Sequence, residues 1–234
     1  TSAGGTDTGG GTDTGGGTDT GGDDELYTLV PGDFIDFNDA EEQAETVFTD
    51  FGGTFTELTQ DPTDGSRTVA VTSKSAVAEE WAGTTISGDP VVFPLTATDT
   101  IMSVRVYSPA AGMVVRLKLE ASDNATHTVE TDAVTSTVNA WETLTFDFSN
   151  AATNNGNPTN PLNTDYVFGK LSIFFNKGVT GASAGEVVFY WDSLTWVGAA
   201  TDGGTDPVDP EPSVFGGPWE GFGGAVVNND SSTF

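Results

Sequence analysis

Met113-Val114-Val115-Arg116-Leu117-Lys118-Leu119-Glu120 decides the fold. Met113, Val115, Leu117 and Leu119 alternate with Val114, Arg116, Lys118 and Glu120. A period of two puts the first set on one face of a strand and the second on the other, with only one face buried. Working outward, Thr100 to Tyr107 has the same character, and Ser108-Pro109-Ala110-Ala111-Gly112 between the two has hairpin-turn chemistry. Further strands are expected at 33–37, 46–50, 54–59, 67–73, 81–86, 91–96, 127–134, 142–148, 167–175 and 186–197, with Asp64-Gly65 turning the chain between two of them. Only 39–45 and 75–80 have helix-like composition, and 149–165, rich in Asn and Pro, is the longest irregular stretch. Many short strands separated by turn signals predict an all-β, antiparallel β-sandwich.

Composition narrows the chemistry. Seven basic against 35 acidic residues give a net charge of −28. A polyanion gains nothing from counterion release at phosphates, so nucleic acid and anionic membrane surfaces are excluded as partners. The absence of cysteine removes disulfides, thiolate zinc sites and thiol nucleophiles, and a single histidine, His127, removes multi-His metal sites. His127 stands in an alternating strand pattern with no triad spacing or nucleophile elbow near it. No pair of carboxylates is singled out for acid–base work, and no apolar run reaches the roughly 18–20 residues that span a bilayer. The expectation is a non-enzymatic chain without membrane insertion.

The chain divides by composition. Residues 1–25 form a spacer in which Thr-Asp-Thr-Gly-Gly-Gly starts at Thr6 and Thr12 and returns, ending in Asp, from Thr18; ten of the thirty glycines lie in this segment. Such a segment cannot offset its ordering entropy by burying apolar surface. Its spaced, glycine-flanked threonines, Thr6, Thr8, Thr12, Thr14, Thr18 and Thr20, are candidate O-glycan sites. Asn124-Ala125-Thr126 and Asn229-Asp230-Ser231 are formal N-glycosylation sequons of little specificity. Residues 26–198 form the sandwich, holding all seven bases and a net charge of about −16. Residues 199–213 are a second linker, extended by Pro207, Pro210 and Pro212. In 214–234, Phe222-Gly223-Gly224 matches Phe51-Gly52-Gly53, which reads as the start of a second module or as a donated strand. The first residues, Thr1-Ser2-Ala3, carry neither Met nor a leader pattern, so a processed product or a segment of a longer, tandemly repeated protein is expected.

Three runs carry a resemblance. Asn139-Ala140-Trp141-Glu142-Thr143-Leu144-Thr145-Phe146-Asp147-Phe148-Ser149, then Lys170-Leu171-Ser172-Ile173-Phe174-Phe175-Asn176, then Phe189-Tyr190-Trp191-Asp192-Ser193-Leu194 resemble the C-terminal half of jelly-roll carbohydrate-binding modules of secreted, multidomain bacterial proteins. The resemblance spans about residues 33–197 and implies a jelly-roll sandwich, an extracellular or cell-surface location and polysaccharide as a partner. In such modules the acid after the last-strand aromatic pair helps hold a structural calcium ion, a position that Asp192 matches. A second ligand comes from the first strand, where Asp36 or Asn38 is the candidate. Sugar binding needs exposed aromatic faces; Tyr107, Trp81 and Trp191 are the candidates, while Trp141 reads as a packing residue.

Two functions follow. The first is a structural repeat of an extracellular surface protein or filament, its sandwich beads joined by glycosylated linkers and by strand contacts with copies of itself or neighbouring modules. The second is a carbohydrate-binding module of a secreted enzyme or adhesin. The restarted module at 214–234 favours the first; an open aromatic platform would favour the second.

Overall fold

The computed structural model describes residues 27–87 and 91–199. In chain order the elements are β1 (Tyr27–Thr28), β2 (Phe34–Ile35), α1 (Ala40–Glu45), β3 (Val47–Phe51), β4 (Thr54–Gln60), β5 (Thr68–Lys74), β6 (Gly83–Ser87) and β7 (Val91–Val92). Then come β8 (Asp99–Tyr107), β9 (Val114–Ala121), β10 (Thr128–Val134), β11 (Trp141–Asp147), β12 (Thr153–Asn154), β13 (Asn157–Pro158), β14 (Phe168–Phe175), α2 (Gly181–Ala184) and β15 (Val187–Ala199).

A five-stranded sheet runs β10-β9-β14-β6-β3, and a six-stranded sheet runs β11-β8-β15-β5-β4 with β2 pairing on β15 as its sixth strand. All these pairings are antiparallel. The chain passes back and forth between the sheets: β3 lies in the first, β4 and β5 in the second, β6 in the first, β8 in the second, β9 and β10 in the first, β11 in the second, β14 in the first and β15 in the second. That winding is an antiparallel jelly-roll β-sandwich.

The alternation on β9 is as its sequence implies: Val115, Leu117 and Leu119 are fully buried. They face Met102, Val104 and Val106, also fully buried, in one core cluster. This explains why Ser108–Gly112 is not a hairpin turn. Gly112, at φ 82°, and the Ser108 hydroxyl reverse the chain, but β8 pairs with β11 and β15 while β9 pairs with β10 and β14. A hairpin would place both apolar faces on the same side of one sheet; crossing between sheets buries each against the other.

Other expectations are corrected. Residues 75–80 form successive turns, Ala78 N donating to Ser75 O and Ala82 N to Glu79 O, instead of a helix. Their path is fixed by close packing on Gly53, where an added Cβ would lie 2.9 Å from Ala78 Cα. Six residues cannot repay helix nucleation by themselves. Of 91–96 only Val91–Val92 is a strand, because Pro94 has no N–H to donate. The stretch 149–165 is not wholly irregular: β12 and β13 pair around Asn155 and Gly156, both at positive φ (51° and 81°).

The core is aromatic. Trp191 is fully buried, edge-on to Phe37 at 5.4 Å and to Phe48 at 5.9 Å, and its indole N–H donates to Thr72 Oγ1 at 2.9 Å. Among the described residues no helix is long and apolar enough to cross a membrane.

Candidate functional site

The outward side chains of the five-stranded sheet form rows fixed by its register. Thr49 pairs with Thr85, Thr85 with Ser172, Ser172 with Lys118 and Lys118 with Glu130, giving a polar row from β3 to β10. In a neighbouring row Phe51 pairs with Gly83, and Phe174 with Arg116. Gly83 is required there: a Cβ would lie 2.6 Å from Ile173 O, 2.9 Å from Phe174 Cδ1 and 3.0 Å from Phe51 Cζ. Its missing side chain lets Phe51 close edge-on to Phe174, with centroids 5.4 Å apart.

Trp81, in the turn before β6, completes the ledge. Its ring lies 13° from parallel to Phe51 at 6.3 Å, and it is 48% exposed. These rows border a groove of about 380 Å3, with Trp81, Phe51 and Phe174 on the aromatic side and Lys118, Glu120 and Lys170 among its polar groups. That volume falls in the range of small-molecule sites.

Glu120 accepts from Lys118 Nζ at 3.0 Å and from Lys170 Nζ at 2.9 Å. Burial opposes its ionisation, but these hydrogen bonds outweigh it and hold its carboxyl below the usual range. At the far end Arg116, 2% exposed, donates to Asp132 (2.6 and 2.8 Å), Glu130 (2.7 Å), Asn154 Oδ1 (2.6 Å) and Thr153 O (2.8 Å). All five guanidinium N–H groups are thereby used, and the β12–β13 hairpin is tied over the sheet as an end wall.

The sequence candidates are not brought together. Trp81 lies on the groove. Trp191 is in the core with its N–H already paired, so its assignment as a sugar platform is corrected: alternation on β15 turns it inward. Tyr107 lies on the outer face of the other sheet, half-buried edge-on to Trp141 at 5.6 Å and Tyr190 at 5.9 Å. Trp141 is not a core residue. It is half-buried, with Arg105 Cζ 3.9 Å above its ring and its N–H donating to Asp61 Oδ1 and Thr63 Oγ1 at 3.1 Å.

Asp192 is buried beneath that face, its Oδ2 accepting from Arg105 at 2.8 Å and from Arg67 at 3.4 Å. Burial pushes its carboxyl up to about 6 against the pull of Arg105 and Arg67. Asp36 Oδ1 accepts from Asn38 N, and Asn38 Oδ1 from Thr68 N. The surroundings of Asp192 count against the calcium role. The charge of Asp192 is answered by two guanidiniums that would repel a cation, and among the described residues no group of three or more His, Cys, Asp or Glu side chains is placed to hold a metal. The candidate glycan threonines, Thr6 to Thr20, and the segment 214–234 lie outside the described residues.

Sequence reasoning missed Phe51, Phe174 and the groove lysines. Their signal was the polar phase of β9 and β14, where Lys118 and Glu120, and Lys170 and Ser172, recur every second residue.

No family model and no curated protein matches the chain. Solved structures similar to it include the family 11 carbohydrate-binding module from Clostridium thermocellum in complex with a β-1,3-1,4-mixed-linked tetrasaccharide. It is 14% identical, with 73% of this chain and 98% of that one covered and a TM-score of 0.44. A xylan-binding domain from Paenibacillus barcinonensis is 15% identical, with 71% and 98% covered and a TM-score of 0.41. A β-1,3-glucan-binding family 6 module from Bacillus halodurans is 14% identical, with 73% and 99% covered and a TM-score of 0.39. All three are carbohydrate-binding modules. At such identities and scores the jelly roll rests on the strand order described above.

Proposed function

We propose that this chain is a non-catalytic, extracellular polysaccharide-binding module and that its ligand lies along the groove of the five-stranded sheet. The observation that carries the reading is the open face of Trp81, backed by Phe51, beside a row of hydroxyl, ammonium and carboxylate groups. A pyranose ring offers an apolar C–H face to an aromatic plane and hydroxyls around its rim, and this pairing of surfaces meets both demands. The filament reading draws on residues 6–20 and 214–234, which lie outside the described residues, so the binding reading ranks first. Titration of the chain against a panel of soluble polysaccharides by calorimetry or affinity electrophoresis tests it. At least one polymer is expected to bind, and Trp81→Ala is expected to weaken that binding about tenfold, the equivalent of roughly 1.4 kcal/mol. Binding to no glycan, or binding indifferent to Trp81, would sink the reading.

A further inference from the structure

The groove holds more positive charge than its own carboxylates answer. The chain has seven basic residues, and four of them lie on this one face: Arg116, Lys118, Lys170 and Lys177. The other three are spent elsewhere. Arg67 and Arg105 hold Asp192 beneath the opposite sheet, and Lys74, 1% exposed, donates to the carbonyls of Phe175 and Asn176. In a chain of net charge −28, every lysine that is not buried in the interior borders the same groove.

The carboxylates on that face are committed. Asp132 and Glu130 are held by Arg116, and Glu120 is shared by Lys118 and Lys170. Lys177 is half-buried, and among the described residues its Nζ meets no carboxylate within ion-pair distance and no hydrogen-bond acceptor. Burial and then the nearby Arg116 hold its ammonium below the usual lysine range, while Glu130, Glu80 and Asp132 act more weakly in the other direction. Lys74 lies behind it, close enough that Lys177 in turn depresses the Lys74 ammonium. An ammonium partly withdrawn from water, backed by two other cations and facing a groove, gains most from an anionic acceptor, because charge-assisted hydrogen bonds are roughly twice as strong as neutral ones.

We propose that the glycan taken by this groove is acidic, its carboxylate or sulfate group seated on Lys177 at the Arg116 end, with Lys118 and Lys170 farther along the same groove. This rests on the reading of the groove as a polysaccharide site and adds the substrate class. The overall negative charge does not forbid it. With a Debye length of about 8 Å at physiological ionic strength, remote carboxylates are largely screened, whereas a lysine in contact with the ligand is not.

The test uses the full chain at 0.15 M salt with three classes of soluble polymer: neutral (xylan, mixed-linkage β-glucan), carboxylated (alginate, polygalacturonate) and sulfated (carrageenan). Each is titrated against the wild type, Trp81→Ala, Lys177→Met and Lys177→Arg, with thermal unfolding as the folding control. The expected result is binding to a carboxylated or a sulfated polymer, which of the two identifying the anion. Lys177→Met should weaken it tenfold or more, with Lys177→Arg close to wild type and melting unchanged. Trp81-dependent binding to neutral polymers that Lys177→Met leaves intact would overturn the acidic assignment while the groove reading stands. Binding to none of the polymers would overturn the groove reading and this inference together.

Discussion

Phe51 and Trp81 lie face to face, their planes 13° apart and their centroids 6.3 Å apart, although one ends β3 and the other belongs to the turn before β6. Gly52 makes the approach possible: at φ 69°, a Cβ there would lie 3.0 Å from Trp81 Cζ3 and 2.8 Å from Ala82 Cα. Phe51 is half-buried and also meets Phe174, whereas Trp81 is 48% exposed. The two rings therefore divide their labour, the inner one supporting and the outer one presenting.

That division predicts different outcomes for the two truncations. Phe51→Ala should lower unfolding free energy by about 2 kcal/mol and weaken glycan binding as well, because the support is lost. Trp81→Ala should weaken binding by a similar factor with a stability change below about 1 kcal/mol. The double variant should bind no worse than about the weaker single variant, since the rings act as a unit. Urea denaturation and calorimetric titration of the three variants check this, and additive binding losses would mean that Phe51 touches the ligand independently.

Gly83 sits between those rings and the opposite strand. Gly83→Ala places a methyl group 2.6 Å from a backbone oxygen, which cannot swing away as a side chain can. The expected cost is about 1–3 kcal/mol, with loss of the Phe51–Phe174 contact and of groove binding. Thermal unfolding alongside the glycan titration reads both effects together.

Much of this architecture was legible in the residues. The alternation of Val115, Leu117 and Leu119 fixed the strand and its buried face, and Asp64-Gly65 marked the β4–β5 turn. What escaped was non-local. Turn chemistry at Ser108–Gly112 reports that the chain reverses but not which sheet receives it, since that depends on which apolar face lies opposite. The same holds for Tyr107 and Trp81, both platform candidates in sequence, with Tyr107 favoured by its place beside Arg105, yet on opposite outer faces in the fold. Trp191 was misread because an aromatic pair, Tyr190-Trp191, puts one ring out and one in, and composition does not say which. The Asn155-Gly156 turn, by contrast, was available locally: two residues that tolerate positive φ at the centre of a polar run are a strong hairpin signal.

That hairpin hangs on one side chain. Arg116 binds Asn154 Oδ1 and Thr153 O from beneath while holding Asp132 and Glu130. Arg116→Met should cost about 2–3 kcal/mol, below the loss usual for a broken buried pair, because Glu130 and Asp132 remain 17% and 28% exposed and can rehydrate. The β12–β13 amides should exchange with solvent much faster, while those of β8 keep their relative protection. Hydrogen exchange of the variant distinguishes local release of the hairpin from general weakening.

A buried acid sets the pH dependence. Glu42, on α1, is 6% exposed and accepts from the backbone N–H groups of Asp36 and Phe37. Burial, and after it the neighbouring Asp36, push its carboxyl from the ordinary 4.5 up to about 8, against those two hydrogen bonds. In this window the folded chain keeps a proton that the unfolded chain releases. The stabilisation is thus complete below pH 4.5 and is lost as pH rises through about 8, at up to about 1.4 kcal/mol per pH unit. Asp192, raised to about 6, has the same sign but finishes titrating earlier. Wild-type urea midpoints should therefore fall between pH 5 and 8, and Glu42→Gln should remove the part of the fall above pH 6. A wild-type midpoint that is flat or rises across this range would mean that Glu42 is ionised in the fold, its charge carried by the two amides it accepts from.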